Sequence, residues 1–197
     1  TFLILASVFT GCRYDSATRY SGTPDPTIRD GLWTASAAAP TVLRLAPTQL
    51  LTSGNSIPST AIFTSSAELF NLNGIAFDAD GTLWVTSEDD SLLVAFSPTA
   101  LASSGHVVAS RVIASRAGSL SAPTSVAFDA QHRLWVANSA NGTIVRFDRG
   151  QLASSGSPAP TVVISGVGRP ASLAFDASGA LWVSDVQANT IVKYGSE

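Results

Sequence analysis

Short runs of alternating apolar and polar residues recur along the chain at a fixed period. Leu32-Trp33, Leu83-Trp84, Leu134-Trp135 and Leu181-Trp182 stand 51, 51 and 47 residues apart, and these four pairs hold every tryptophan of the sequence. Ala76-Phe77-Asp78, Ala127-Phe128-Asp129 and Ala174-Phe175-Asp176 precede three of the pairs, and Ile- and Val-rich runs follow them. Self-similarity at this period indicates one supersecondary unit per repeat. In the copy from Ala122 to Ser165, β-branched and aromatic runs bounded by turn residues predict four strands: a over 125–129, b over 133–138, c over 143–148 and d over 161–165. The a-to-b link is Ala130-Gln131-His132, with Ala79-Asp80-Gly81 and Ala177-Ser178-Gly179 in neighbouring copies, and the b-to-c link is Ser139-Ala140-Asn141-Gly142. Links this short force antiparallel neighbours. A meander repeated about every 50 residues predicts an all-β fold, a β-propeller of four-stranded antiparallel blades.

About three and a half blades are expected, over residues 31–65, 71–115, 122–165 and 169–197, the last incomplete, forming an open partial propeller. The first copy enters at strand b, because Thr23-Pro24-Asp25-Pro26-Thr27 stands where strand a should be and two prolines make a poor strand. The last copy reaches Glu197 after strand c. Open sheet edges are a liability that propellers remove by closure. The intact protein is therefore expected to continue for about two to three further blades and to complete the N-terminal blade with its last strand.

Alternation along strand b places Leu134 and Val136 toward one neighbouring blade and Trp135 toward the other, which makes the tryptophans core residues instead of a carbohydrate platform. Asp78, Asp129 and Asp176 are expected to accept backbone N–H bonds in the turn that follows them. Asp78-Ala79-Asp80-Gly81 carries the start of a calcium loop without the later ligands that an EF-hand needs. The c-to-d link repeats as Leu50-Leu51-Thr52-Ser53-Gly54, Leu101-Ala102-Ser103-Ser104-Gly105 and Leu152-Ala153-Ser154-Ser155-Gly156. Such fidelity implies a fixed shape, with a packed Leu and a Gly at positive φ.

The segments "APTSVAFDAQHRLWVANSANGTIVRFD" and "RPASLAFDASGALWVSDVQANTIVKY" resemble NHL-type propeller repeats, which have relatives among the gluconolactonase-like propellers and the streptogramin lyases. The resemblance spans residues 32–197. It implies fold more than function, since such propellers serve as scaffolds, ligand binders and enzymes.

Charge narrows the partners. Only 13% of the 197 residues are charged, the net charge is −3 and no Lys/Arg cluster occurs, which argues against nucleic acid. The 45% hydrophobic content, arranged in periodic runs, argues against disorder. The N-terminal run from Phe2 to Phe9 is too short to span a bilayer and fits the apolar region of a truncated secretory signal. Phe9-Thr10-Gly11-Cys12 resembles the lipobox of bacterial lipoproteins, with Phe9 in place of the usual Leu, so residues 1–12 are expected to be a signal ending at a lipidated Cys12. That places the protein in the bacterial cell envelope, facing periplasm or exterior, with a lipid anchor as its membrane contact. Cys12 is the only cysteine, which excludes an intrachain disulfide. Residues 13–30 read as a polar tether.

In such a meander the a-to-b and c-to-d links share one end of the blades, and the b-to-c and d-to-a links share the other. His132 and His106 fall at the first end, on different copies, with no Ser/His/Asp or metal-ligand spacing around them. The second end carries the variation in period and the polar residues, as binding loops on a rigid scaffold do. The candidate binding face comprises Asn73, Ser87, Glu88, Asp89, Asn138 and Asp185, with Ser36 and Asp90 beside them. Two functions follow. One is a binding or scaffold module, without a cofactor, for a protein, glycan or small ligand. The alternative is a lactonase or lyase in which these groups hold Ca²⁺ or another divalent cation. Asn73-Gly74-Ile75-Ala76-Phe77 resembles a segment of gluconolactonase-like propellers whose Asn is a metal ligand, whereas Thr124 and Ala171 occupy the matching positions of the next copies. The streptogramin-lyase resemblance implies a catalytic His and Glu on this face, and neither His is on it.

Overall fold

The computed structural model describes residues 30–37, 41–51, 57–64 and 69–195. The expected N-terminal signal with Cys12, and the expected tether up to residue 29, lie outside the described residues. Blade 1 holds β1 (Leu32–Ser36), β2 (Thr41–Leu45) and β3 (Thr60–Thr64). Blade 2 is built from β4 (Leu72–Phe77), β5 (Leu83–Ser87) and β6 (Leu92–Phe96), then β7 (Gly105–Val107) within its c-to-d link and β8 (Arg111–Ala114). Blade 3 runs through β9 (Pro123–Phe128), β10 (Leu134–Asn138), β11 (Thr143–Phe147) and β12 (Val162–Ile164), and blade 4 through β13 (Pro170–Phe175), β14 (Leu181–Asp185) and β15 (Thr190–Tyr194). Blades 2 and 3 are four-stranded antiparallel meanders, and blade 4 pairs β13-β14-β15. No sheet closes on itself among the described residues, in agreement with an open partial propeller. The fourth strand of blade 1 is an unexpected one: β7, from the next blade's link, adds to β3 in parallel.

The a strands β4, β9 and β13 lie side by side, so contacts between them set how closely blades approach. A Cβ on Gly74 would sit 2.7 Å from the Ser125 Cα, which only glycine avoids. Between β9 and β13, the Leu173 N–H donates to Ser125 Oγ at 3.1 Å and Thr124 Oγ1 donates to the Pro170 carbonyl at 3.0 Å.

Among the described residues the core consists of three clusters, one at each junction of neighbouring blades. Leu134 and Val136 join Trp84, Leu93 and Ile113 of blade 2, while Trp135 and Ala137 on the opposite face of the same strand join Leu181 and Val183 of blade 4. The alternation read from the sequence is therefore the packing rule. Trp33, Trp84 and Trp135 are buried, and Trp182, on the outer face of blade 4, is 39% exposed.

Each of the last three blades carries the same polar lock. Asp129 Oδ1 accepts the Gln131 and Arg133 N–H groups, as expected of a turn residue. Its other oxygen, Oδ2, accepts the Trp135 indole N–H at 2.8 Å. Asp78 and Trp84 repeat the bond at 3.1 Å, and Asp176 and Trp182 at 2.9 Å. A cation lies over the ring in every blade: Arg44 on Trp33, Arg111 on Trp84, Arg146 on Trp135 and Lys193 on Trp182.

The conserved shape of the c-to-d link is a one-turn helix followed by a clamp onto the preceding blade. In blade 2 the helix α1 (Pro98–Leu101) is capped by Ser97. In blade 3 the turn Arg149–Leu152 is closed by Asp148 and Gln151. Leu101 and Leu152 are buried as expected. Gly105 has φ +143°, whereas Gly156 adopts no positive φ, so the link does not depend on left-handed backbone at that glycine. Ser104 Oγ accepts the Ala61 N–H and Gly105 pairs with Ile62, while Ser155 Oγ accepts the Val112 N–H and Gly156 pairs with Ile113.

Trp135→Ala is expected to cost about 3–5 kcal/mol as a cavity substitution. Trp182→Ala, at a face already open to solvent, should cost well under half as much. Urea midpoints of the two variants check this, and equal losses would contradict the packing.

Candidate functional site

The b-to-c and d-to-a links gather at one end of the blades, as expected. The six candidate residues divide there into two groups. Ser87, Asn138 and Asp185 end strand b in successive blades, are buried, and each fastens the d-to-a link that crosses them. Ser87 Oγ donates to the Phe70 carbonyl at 2.9 Å and also bonds Asp90 Oδ2. Asn138 Oδ1 accepts the Ser121 N–H, and its Nδ2 donates to the Ser119 carbonyl and to Thr143 Oγ1, all at 3.1 Å. Asp185 Oδ2 accepts the Gly168 N–H at 2.8 Å, and its Oδ1 accepts those of Arg169, Gln187 and Ala188. One position thus solves one problem with three side chains, each matched to the donors and acceptors of its link.

Asn73, Glu88 and Asp89 belong to blade 2 and form the second group. Asn73 Nδ2 donates to Glu88 Oε2, and Asn71 Nδ2 reaches the same oxygen at 3.1 Å and Asp89 Oδ1 at 3.3 Å. Asp90 Oδ2 accepts the Phe70 N–H, which orders the turn that carries these carboxylates. Asn71, Asn73 and Glu88 are half-buried and Asp89 is exposed, so the group offers carboxylate oxygens and amides to solvent on an ordered turn. Asn71 was not singled out by the sequence. The signal that finds it is its positive φ of 55°, a conformation that Asn tolerates better than most residues.

The other residues singled out lie away from this group. His132, at φ 61°, sits in the a-to-b turn of blade 3, and His106, in β7, packs its ring 5.5 Å from that of Phe63. Asp80, of the calcium-like string, is exposed and pairs with Arg149 of blade 3 at 2.9 Å. No group of three or more His, Cys, Asp or Glu arranged to hold a metal ion occurs among the described residues. No helix among the described residues is long and apolar enough to cross a membrane.

Among the described residues three aspartates, Asp129, Asp176 and Asp185, have carboxyls held below their ordinary range, Asp176 by bonds from Ser178, Trp182, the Ala180 N–H and Lys193. The Arg169 and Ala188 backbone N–H groups, with those of Gly168 and Gln187, hold the Asp185 carboxyl below its ordinary range against the opposing effect of desolvation. For Asp129, burial pushes upward, but the bonds from Trp135 and Arg133 outweigh it and the net shift is downward.

No known protein family's profile matches the chain, and no curated protein sequence does. Solved structures do match. A catalytically inactive virginiamycin B lyase from Staphylococcus aureus, solved with quinupristin, aligns over 83% of this chain and 51% of its own, with a TM-score of 0.57 and 14% identity. The WD40 β-propeller domain of Doa1 aligns over 85% of this chain and 47% of its own, with a TM-score of 0.60 and 14% identity. The extracellular domain of a B. thetaiotaomicron protein assigned to the one-component systems aligns over 84% and 23%, with a TM-score of 0.56 and 15% identity. The fold is that of a β-propeller, and the chain spans about half the length of the lyase.

A carboxyl whose pKa is lowered by folding contributes stability that is full above its unfolded value, about 3.9, and is lost as pH falls through the folded value. Asp185→Asn should therefore unfold at lower urea than the parent at neutral pH, with the gap narrowing as pH falls below about 3.9. Urea titrations across that range check this, and a gap that does not change with pH would contradict it.

Proposed function

We propose that this chain is part of a lipid-anchored, extracytoplasmic β-propeller of the bacterial envelope, one that works as a binding or scaffold module through the b-to-c end of blade 2. The observation that carries the reading is the contrast between copies. At that end Asn138 and Asp185 spend their polar atoms on their own links, whereas Asn71, Asn73, Glu88 and Asp89 are partly open to solvent and bonded mainly to one another. A rigid blade that presents carboxylates and amides together suits a ligand rich in hydroxyl, amide or ammonium donors, such as a glycan or a polar peptide. The extracellular neighbour supports an extracytoplasmic setting. Residues 9–12 support the anchor, with Cys12 as the lipidated residue.

A second reading, a metal-dependent lactonase or lyase, draws on the Asn73–Glu88 contact and on the fold of the lyase neighbour. Glu88, Asp89 and the amide oxygen of Asn73 would be the groups offered to a cation, which would polarise a substrate carbonyl.

Glycan and peptide arrays probed with the chain, and with its Glu88→Gln/Asp89→Asn variant, separate these readings from a purely structural turn. The binding reading expects a ligand whose affinity falls at least about tenfold in the variant, roughly the loss of one charge-assisted hydrogen bond. Ligand capture unaffected by the variant would contradict it. Calorimetric uptake of Ca²⁺ that is lost in Asn73→Ala would move the assignment to the second reading. Cys12→Ala is expected to shift the protein from the membrane fraction to the soluble one, and unchanged fractionation would contradict the anchor.

A further inference from the structure

Four residues that depart from the repeat meet at one cavity. Asp80 stands where the next copies have Gln131 and Ser178, and Arg149 where the two earlier links have Pro47 and Pro98. Arg111 pairs across the sheet with Ala95, whereas the same pairing elsewhere sets Thr60 against Arg44 and Val162 against Arg146, so blade 2 has moved its cation from strand c to the outer strand. Glycine holds the last position of the a-to-b turn at φ 83° in Gly81 and 82° in Gly179, and His132 holds it at 61°, a left-handed conformation that costs a side chain more than glycine. The cavity they line has a volume of about 520 Å³ and lies between blades 2 and 3, each backed by a further blade on its other side. Small-molecule sites occupy roughly 300–1,000 Å³. Phe128, Leu152 and Ala153 supply its apolar wall.

The charges differ in how firmly they are held. The Arg111 guanidinium lies 5.0 Å from the Trp84 ring centroid, its Nη1 donates to the Leu152 carbonyl at 2.9 Å and its Nη2 to Thr82 Oγ1 at 3.0 Å, so it is fixed in place. Arg149 Nη2 meets Asp80 Oδ2 of the facing blade at 2.9 Å, with both side chains 65% exposed. An ion pair this open is screened by water and contributes little, so a ligand can replace it. Each guanidinium has a carboxylate at hand, Asp78 at 3.9 Å from Arg111 and Asp80 beside Arg149. A plain anion would draw an arginine from its carboxylate and leave that charge unmatched, whereas a ligand of both signs matches both partners.

We propose that this cavity binds a free α-amino acid with an apolar side chain. The ligand inserts into the Asp80–Arg149 pair. Its ammonium donates to Asp80, its carboxylate accepts from Arg149 with the His132 ring and the fixed Arg111 guanidinium beside it, and its side chain packs against Phe128, Leu152 and Ala153. The site is at the a-to-b end of the blades, opposite the face that carries Asn73 and Glu88, and is independent of it.

The test is titration calorimetry of the whole 197-residue protein with L-leucine, with leucine amide, which lacks the carboxylate, and with isocaproate, which lacks the ammonium. Saturable binding of leucine is expected, with each analogue weaker by about tenfold or more, the loss of one charge-assisted hydrogen bond. Asp80→Asn and Arg149→Gln, at exposed positions, should each weaken leucine by a similar factor with the urea midpoint little changed. His132→Gly puts the repeat's own residue into a turn that suits it, so it should weaken leucine while leaving the urea midpoint equal or higher. No saturation at millimolar leucine would overturn the proposal. So would isocaproate binding as tightly as leucine, which would make this a plain anion site, or a leucine affinity unchanged in both Asp80→Asn and Arg149→Gln, which would reduce the ion pair to a staple between blades.

Discussion

The rest of the structure depends on the hydrogen bond from the strand-b indole of blades 2, 3 and 4 to the carboxylate six residues before it. A tryptophan packed between blades brings an N–H that must find an acceptor, and a carboxylate at the end of strand a must find donors. The Asp–Trp pair answers both needs at once. One carboxylate oxygen collects two N–H groups of the a-to-b turn, and the other takes the indole. The turn, the inner strands and the blade interface are thereby held by a single residue, and a cation over the ring adds the attraction of a positive charge for the π face. A large apolar surface can then be repeated from blade to blade with the indole N–H groups of Trp84, Trp135 and Trp182 each hydrogen-bonded.

The links carry the second half of that economy. A propeller blade is stable only when both faces are covered, and here the c-to-d link reaches back to cover the outer strand of its predecessor. Leu101 and Leu152 are buried by this contact, whereas Leu50, in the copy that has no described blade before it, is 49% exposed. Side chains of identical type at identical repeat positions thus change from core to surface according to their neighbours alone. With one end of the blades occupied by these clamps, the other end is left to vary, and blade 2 uses it to hold Asn73 against Glu88.

The strands, their antiparallel order and the two faces of strand b were legible in the sequence because period-two alternation and a repeat near 50 residues constrain each other. The Asp–Trp bond was half legible. The turn role of Asp129 followed from residue type, but the second oxygen's partner lies six residues away across a hairpin, and only the constant spacing in three copies points to it. The cation over Trp84 was not legible, because strand c of that blade has Ala95 where the others have Arg or Lys, and Arg111 supplies the charge from the paired position on β8. The parallel addition of β7 was hidden as well, since three residues of a Ser-rich link carry no strand pattern. At the candidate site, polar type and strand-end position located Ser87, Asn138 and Asp185 correctly at the varied end. They could not tell a side chain that fastens its own link from one that is offered to solvent, because that depends on which backbone groups cross above it.

A double-mutant cycle with Asp129→Asn and Trp135→Phe, read as urea unfolding free energies, addresses the central claim most directly. The account predicts a coupling of about 1–3 kcal/mol, the range of a partly buried hydrogen bond to a charged group. Additive losses, with a coupling near zero, would mean that the tryptophan and the aspartate stabilise the blade independently and that the lock described here does not hold the array together.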